Sequence, residues 1–282
     1  MAGDADGINY ILWVGESLFL EHVRTEMDKE PLYLWYAYPE DLLNESAAEA
    51  CAELLSDDER ARWHKYKFEP HRREYLTTRA LVRTALSQYH PLAPKAWYFK
   101  SNVHGRPAAD PACGLLFNLS NSPGLVVCLI SRGGEVGVDA EPYDRAEKVV
   151  EVAAEVFSPL ELAQLQTLRS SERLDRAMSL WTLKEAYIKA RGMGLALPLK
   201  KFSFLFGGAD APRLELDPEL DDEAGRWRFC LLEHAGHRIA LMAEQVTEPE
   251  LELWEMRPSQ AAPTQLPAGE IRWFPASQTT GH

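Results

Sequence analysis

The sequence lacks the features of membrane, secreted and metal-scaffold proteins. Its apolar runs are short: the run from Leu125 to Ile130 has six residues, whereas a membrane span needs about 20. No cation precedes the first apolar stretch, so we expect no secretory signal. The four cysteines, at positions 51, 113, 128 and 230, form no Cys-x-x-Cys pair. We therefore expect neither a zinc cluster nor a disulfide framework, and cysteine usage favours the reducing cytoplasm.

Positive charge is also scarce, except in one segment. The chain has 282 residues, 46% of them hydrophobic and 26% charged, which is typical of one large or two ordinary globular domains. The formal net charge of −13 argues against nonspecific nucleic-acid binding. Eleven Lys and Arg residues nevertheless lie between Arg60 and Arg106, against two Glu residues. This segment predicts an anion-binding site, and a solvated basic helix face is the alternative.

Hydrophobic periodicity predicts both strands and helices. Ser56 and Ser158 each precede a Glu by three residues, which is the capping-box pattern of a helix start. The predicted strands are 32–38, 97–99, 115–120, 125–130, 136–139, 202–206, 227–232 and 238–242, and the predicted long helices are 72–89 and 174–190. After Gln245, five prolines in 38 residues predict an irregular, partly flexible tail.

Three carboxylates lie in sequence patterns that are compatible with metal binding or acid–base catalysis. Asp139 and Glu141 are one residue apart at a predicted strand end, so their side chains lie on the same face. Carboxylates held this close repel each other, and Mg²⁺ relieves the repulsion while binding phosphate oxygens. Glu185 and Lys189 are four residues apart on one predicted helix and share a face. Spacing alone is equally consistent with a solvated strand end and a surface ion pair.

These pairs belong to an ordered series of motifs. In chain order the series contains Gly105-Arg106-Pro107, Phe117-Asn118-Leu119-Ser120-Asn121-Ser122, Gly137-Val138-Asp139-x-Glu141, Phe157-Ser158-x-x-Glu161, Trp181-Thr182-x-Lys184-Glu185-Ala186-x-x-Lys189 and Gly192-x-Gly194-Leu195-x-Leu197-Pro198-Leu199. Together they resemble the surfactin-synthetase-activating type of 4′-phosphopantetheinyl transferase. The resemblance covers about residues 56–206, and its specificity lies in the ordered set.

The resemblance implies a reaction and roles for individual residues. Coenzyme A would give its 4′-phosphopantetheine arm to a serine of an apo acyl, peptidyl or aryl carrier protein, with Mg²⁺ on the pyrophosphate and 3′,5′-ADP released. Phosphoryl transfer of this kind depends mostly on positioning and charge stabilisation. The implied metal ligands are Asp139, Glu141 and Glu185. The implied catalytic residues are Glu185, which takes the serine proton, Lys189 and Asp139. The implied coenzyme A-binding residues are Arg72, Arg73, Arg79, Arg106, Ser120, Asn121 and Lys189.

Two positions complicate the resemblance. Asn121 stands where the family usually has a histidine, and an amide cannot carry the positive charge of an imidazolium. This puts the affinity for phosphate in doubt, and not the metal site. Glu161 has three open roles: it ligates the metal, orients a water molecule or caps its own helix.

The resemblance also implies a fold and a partner. We expect an α+β protein of two pseudo-twofold-related subdomains, each a small antiparallel sheet packed on a long helix, with coenzyme A in the cleft between them. We place the N-terminal subdomain at 1–132, the C-terminal subdomain at 133–244 and the tail at 245–282. The expected protein is a cytoplasmic monomer. Its partner is an acidic, helical carrier protein of fatty-acid, polyketide or nonribosomal-peptide synthesis, and neither nucleic acid nor membrane is expected to bind.

Two other functions stay open at this stage. One is a Mg²⁺-dependent nucleotide pyrophosphatase that uses water as the acceptor, which product analysis would distinguish. The other is a relative that binds carrier protein or coenzyme A without turnover. Asn121 favours this second alternative, whereas the presence of Asp139, Glu141, Glu185 and Lys189 argues against it.

Overall fold

A computed structural model describes residues 31–207, 212–245, 248–258, 260, 262–267 and 273–275. The strands are β1 (Leu32–Ala37), β2 (Tyr98–Ser101), β3 (Pro107–Asp110), β4 (Leu116–Ser122), β5 (Leu125–Ser131), β6 (Val136–Pro142), β7 (Phe202–Leu205), β8 (Arg213–Leu216), β9 (Trp227–His234), β10 (His237–Glu244), β11 (Leu251–Glu255), β12 (Thr264–Leu266) and β13 (Phe274–Pro275). The helices are α1 (Glu45–Glu53), α2 (Asp57–Trp63), α3 (Glu69–Tyr89), α4 (Ala146–Glu151), α5 (Ala153–Val156), α6 (Pro159–Gln166) and α7 (Ser170–Arg191).

Local signals determine where the helices begin and end. Both capping boxes are confirmed: Ser56 starts α2 and Ser158 starts α6, each accepting a hydrogen bond from the backbone N–H three residues later. Gly192 ends α7 in the left-handed conformation, with φ of 63°, which glycine adopts without steric cost. The structure therefore confirms the two long helices, α3 and α7, each extended by a few residues beyond its predicted start.

The first sheet has the strand order β12-β11-β1-β5-β4. Strands β4 and β5 form the predicted hairpin, and Gly124 in its tight turn has φ of +87°. One face of β1 buries Tyr33 and Trp35 against α3, where the Trp35 indole donates a 2.9 Å hydrogen bond to the Tyr89 hydroxyl. The other face buries Leu32 and Leu34. Burial on both faces explains why β1 is a continuous apolar run and does not alternate with polar residues.

The second sheet has the strand order β13-β9-β10-β6, and α7 packs against it. The closest approach is at Gly137 in β6, where a Cβ atom would lie 2.0 Å from the Ala186 carbonyl oxygen of α7. The glycine of the Gly137-Val138-Asp139 motif is therefore needed for close packing of helix on strand. Because of this contact, the α7 side chains lie directly over the β6 carboxylates.

The two sheets share an apolar layer on the faces turned away from α3 and α7. Leu34 and Val127 of the first sheet pack there with Val138, Ile239 and Leu241 of the second. Each long helix thus covers the outer face of one sheet, which confirms the α+β class. The limits of the two predicted subdomains, 1–132 and 133–244, stay predictions. Within the described residues, no helix is long and apolar enough to span a membrane.

The prediction of an irregular tail after Gln245 is wrong for three segments. Strand β11 lies beside β1 in parallel, with Leu251 opposite Leu32, and β12 extends the first sheet beyond it. Strand β13 pairs with β9 at the edge of the second sheet. The first sheet is therefore mixed and not purely antiparallel. The tail segments supply pairing partners for otherwise open sheet edges, a gain that depends on distant residues and leaves little trace in local composition.

Candidate active site

Side chains of β4 in the first sheet hydrogen-bond to the backbone of β6 in the second sheet and hold it in register. The candidate site lies where these two strands meet. The Asn118 side-chain oxygen accepts a 3.0 Å hydrogen bond from the Val138 backbone N–H. Two residues later, the Ser120 hydroxyl accepts a 3.2 Å bond from the Ala140 N–H. The buried Asn-x-Ser pattern thus replaces part of a backbone ladder. It places the intervening residue of β6, Asp139, beside Ser120.

Asp139, Ser120 and Lys189 form a hydrogen-bonded triangle. The Lys189 ammonium donates to Asp139 Oδ1 at 2.7 Å and to Ser120 Oγ at 2.9 Å. Ser120 Oγ also donates to Asp139 Oδ1 at 3.0 Å. Asp139 is buried, and its second oxygen, Oδ2, is buried without a hydrogen-bond partner among the described residues. An unsatisfied buried carboxylate oxygen is costly, so this atom is suited to a ligand.

Glu141 lies on the same face of β6, as strand alternation predicts. Its Oε1 accepts a 3.0 Å hydrogen bond from the Trp181 indole of α7, and its Oε2 is 2.5 Å from Arg145 Nη1. Trp181 is only partly buried, and its indole positions Glu141. Arg145 was not predicted, because it lies outside the motifs.

Glu185 has the perturbed electrostatics expected of a reactive group. Its pKa is raised from 4.5 to about 7, first by burial and then by the negative charges of Asp139 and Glu141. Lys189 and Arg145 act in the opposite direction. A carboxyl with a pKa near neutrality can accept a proton at physiological pH. Such groups also cluster at functional sites.

The three carboxylates have the chemistry that a hard divalent cation requires, although their side chains are not arranged around a common point. Within the described residues, no group of three or more His, Cys, Asp or Glu side chains is arranged to hold a metal ion. The cause is that Lys189 and Arg145 already pair with Asp139 and Glu141. Oxygen donors are what Mg²⁺ prefers, and the unpartnered Asp139 Oδ2 and the mutual repulsion at Glu185 favour a cation here. The metal-ligand roles stay a prediction.

Glu161 lies in a different place from this cluster. Its Oε2 is 2.8 Å from the Lys184 ammonium, and both side chains are 0% exposed. Glu161 also accepts hydrogen bonds from the backbone N–H groups of Ser158 and Phe204, each at 2.8 Å. Burial lowers the pKa of Lys184, whereas Glu161 raises it. Of the three open roles, the structure therefore supports the helix cap, with a buried ion pair added.

The basic residues of α3 have different partners. Arg79 and Arg83 both pair with Glu59 of α2, through Arg79 Nε at 2.6 Å and Arg83 Nε at 2.9 Å. Arg79 thus has part of its charge neutralised inside the protein. Arg72 stacks over the Trp63 ring at 4.4 Å. The Nε atoms of Arg72 and Arg73 are buried without hydrogen-bond partners among the described residues, so these two arginines keep donors for an anion.

A cavity of about 570 Å³ opens between α2, α3 and the β2–β3 hairpin. Arg79, predicted to bind coenzyme A, lies in its wall. Arg62, Tyr75 and Phe99 also line it, and the Arg62 guanidinium lies 5.6 Å from the centre of the Tyr75 ring. The sequence places Arg62 only within the basic segment, because its proximity to Tyr75 depends on how α2 packs on α3.

Arg106 and Asn121 contact protein groups that the sequence did not identify. Arg106 donates to the Ala190 carbonyl at 3.0 Å and pairs with Glu135 at 2.5 Å. It thus fastens the loop before β3 to the end of α7 and the start of β6. Asn121 donates through its side chain to Glu74 of α3. Their predicted contacts with coenzyme A stay predictions.

Comparison with known proteins shows which family this chain resembles. A family model described as "4'-phosphopantetheinyl transferase superfamily" matches residues 135–243. The 4′-phosphopantetheinyl transferase HetI of Nostoc sp. is 33% identical over 155 residues, 54% of this chain and 65% of that protein. A 4′-phosphopantetheinyl transferase of Bacillus subtilis is 32% identical over 145 residues, 51% of this chain and 62% of that protein. Sfp of Bacillus subtilis is 27% identical over 166 residues, 59% of this chain and 73% of that protein.

The chain spans slightly less than two thirds of the length of HetI and of the Bacillus subtilis protein that is 32% identical. The resemblance seen in the motifs is confirmed: residues 135–243, which include β6 and α7, match the 4′-phosphopantetheinyl transferase superfamily model.

Proposed function

We propose that this protein transfers the 4′-phosphopantetheine arm of coenzyme A to a serine of an apo carrier protein and releases 3′,5′-ADP. The observation that carries the proposal is the cluster at β6 and α7. There Lys189, Asp139 and Ser120 are mutually hydrogen-bonded, and the pKa of Glu185 is raised to about 7. This cluster lies within or beside the segment that matches the superfamily.

Three carboxylates would hold Mg²⁺, namely those of Asp139, Glu141 and Glu185. When bound, Mg²⁺ neutralises negative charge on the pyrophosphate and aligns it with the acceptor. Asp139 Oδ2 is the donor best prepared for this role, because it is buried without a partner among the described residues. Glu141 has a fixed orientation from the Trp181 indole.

Glu185 accepts the proton of the carrier serine, directly or through one water molecule. The serine oxygen then forms a bond to the phosphorus that bears the pantetheine arm, and the bond from that phosphorus to the oxygen of 3′,5′-ADP breaks. Lys189 stabilises the negative charge that gathers on the phosphates. Ser120 holds the Lys189 ammonium and Asp139 in a fixed relation, so the cationic and anionic groups are positioned before the reaction starts.

Coenzyme A also carries a 3′-phosphate, which needs cationic partners away from the carboxylates. Arg72 and Arg73 have buried guanidinium donors without partners among the described residues. The cavity lined by Arg62, Arg79, Tyr75 and Phe99 combines cations with aromatic faces, but Asp57, Asp58 and Glu59 also line it and offset its positive charge, so Arg72 and Arg73 are the better candidates for the 3′-phosphate. We propose that the protein acts as a monomer in the cytoplasm on an acidic carrier protein.

The test incubates the protein with coenzyme A, MgCl₂ and an apo acyl carrier protein, then measures the intact mass of the carrier. The expected result is a carrier heavier by one phosphopantetheine arm, an equal amount of 3′,5′-ADP and no product when EDTA replaces MgCl₂. Hydrolysis of coenzyme A without a mass change would show a pyrophosphatase. Binding of coenzyme A or carrier without any product would show a non-catalytic relative.

A further inference from the structure

The connection between α2 and α3, residues 64–68, contacts α3 through an aromatic ring. The Tyr66 ring packs on the Tyr75 ring of α3, with centroids 5.2 Å apart. At the end of α2, Trp63 lies under the Arg72 guanidinium at 4.4 Å. Tyr66 is half-buried, whereas the other residues of the connection are exposed and directed outward.

Three of the outward residues form what we call the Lys65–Phe68 patch: Lys65, Lys67 and Phe68. The Phe68 side chain is 69% exposed, and both lysines are exposed. Neither lysine makes an ion pair within the described parts of the chain. An exposed aromatic side chain next to unpaired cations is typical of the central anchor and charged rim of a protein interface.

Charge makes this patch unusual in the molecule. The protein has a net charge of −13, although Arg60 to Arg106 carries eleven cations against two carboxylates. Glu69, the acidic residue nearest the patch in sequence, already faces Arg72 at 3.8 Å. An acidic macromolecule is repelled by most of the surface and attracted here.

The patch lies beside the groups assigned to coenzyme A and shares no residue with them. Arg72 and Arg73, the proposed partners of the 3′-phosphate, follow Phe68 closely on α3. Neither the two lysines nor Phe68 lines the cavity that contains Arg62, Tyr75 and Arg79. A partner at the patch would therefore lie next to bound coenzyme A and make its own contacts.

We propose that the Lys65–Phe68 patch docks the acidic surface of the carrier protein. The two lysines face carboxylates of the carrier, and Phe68 enters an apolar depression between them. This inference rests on the proposed function, because the docked carrier protein is the acceptor of the proposed reaction. The chemistry it requires is an acidic protein surface with an apolar centre.

The experiment compares two double charge reversals that change the net charge equally. One is Lys65→Glu with Lys67→Glu in the patch. The control is Lys95→Glu with Lys200→Glu, two exposed lysines elsewhere in the chain. Transfer is measured at saturating coenzyme A with an acidic apo acyl carrier protein that the wild-type protein accepts. Calorimetry measures the Kd for the same carrier without turnover.

The patch variant should raise the KM for the carrier about tenfold at 50 mM salt, with kcat and the KM for coenzyme A unchanged. The increase should shrink at 0.5 M NaCl, because salt screens exposed charges. The control should stay within about twofold of wild type. Phe68→Ala should raise the carrier KM about tenfold with little salt dependence, since its contribution is apolar burial.

Equal carrier KM values for the patch and control variants would overturn the proposal. A rise in the KM for coenzyme A alone would also overturn it, because the patch would then belong to the cofactor site. Failure of the proposed function is distinguishable: wild type would transfer nothing, whereas calorimetry would still show whether the patch variant loses affinity for the carrier.

Discussion

Replacing Glu185 with glutamine should stabilise the protein at alkaline pH when divalent cations are absent. The pKa of Glu185 is raised from 4.5 to about 7 by burial and by Asp139 and Glu141. The folded state therefore binds this proton more tightly than the unfolded state does. The contribution of Glu185 to stability is fully present below pH 4.5 and is lost as pH rises to about 7. Glutamine has nearly the same shape and carries no charge to desolvate.

The size of this effect follows from the pKa shift. One pKa unit corresponds to about 1.36 kcal/mol, so the shift from 4.5 to about 7 costs wild type about 3 kcal/mol once Glu185 is ionised. In a protein of this size, 1 kcal/mol changes Tm by about 2–4 °C. We therefore expect Glu185→Gln to raise Tm by several degrees at pH 8.5 in EDTA and to change it little at pH 4.5.

The assay is thermal unfolding followed by tryptophan fluorescence at both pH values, with Glu155→Gln as the exposed control. Addition of MgCl₂ should stabilise wild type more than Glu185→Gln, because the variant lacks one of the proposed ligands. Transfer activity should be lost in the variant even though its fold is intact. No gain in stability at pH 8.5 would refute the electrostatic reasoning. Activity within about tenfold of wild type, ~1.4 kcal/mol, would refute the catalytic role.

Three further outcomes follow from the same geometry. The apparent affinity for Mg²⁺ should rise with pH and level off above about pH 7, because Glu185 must lose its proton before it can ligate the metal; an affinity that is unchanged by pH in calorimetric titrations would exclude it as a ligand. Arg106→Ala should cost about 1–3 kcal/mol of stability in urea unfolding, because it removes the donors that join the loop before β3 to Ala190 and Glu135, and should also raise the KM for coenzyme A. An unchanged midpoint would contradict the first part, and a pure loss of kcat the second. Lys184→Met should cost about 3–5 kcal/mol by leaving Glu161 charged and buried. The double variant Lys184→Met with Glu161→Gln should be more stable than Lys184→Met alone in the same unfolding assay.

Features that depend on residues near each other in the chain could be predicted from the sequence. The capping boxes at Ser56 and Ser158, the β4–β5 hairpin and the end of α7 at Gly192 are examples. In each, the hydrogen bond or the positive φ lies within a few residues of the signal, so composition and spacing suffice. The alternation that puts Asp139 and Glu141 on one face is equally local.

Pairing over long distances was decided by the tertiary structure. The sequence identified Asp139, Ser120 and Lys189 as candidates through motif resemblance, but only the packing of α7 over Gly137 shows how they bond. Arg79 was predicted to bind coenzyme A from the resemblance, and the sequence did not show that its partner Glu59 lies on another helix.

The sequence by itself determined the two long helices, the β4–β5 hairpin, the motif set and the segment that carries the cations. Only the tertiary structure decided that the tail strand β11 completes the first sheet, that Glu161 is buried against Lys184, and that Lys65 and Lys67 are exposed and unpaired in the described parts of the chain. The physical reason is that neighbouring residues decide whether a charge is paired and whether a strand edge is open. For these residues the neighbours are 20 or more positions away or are water.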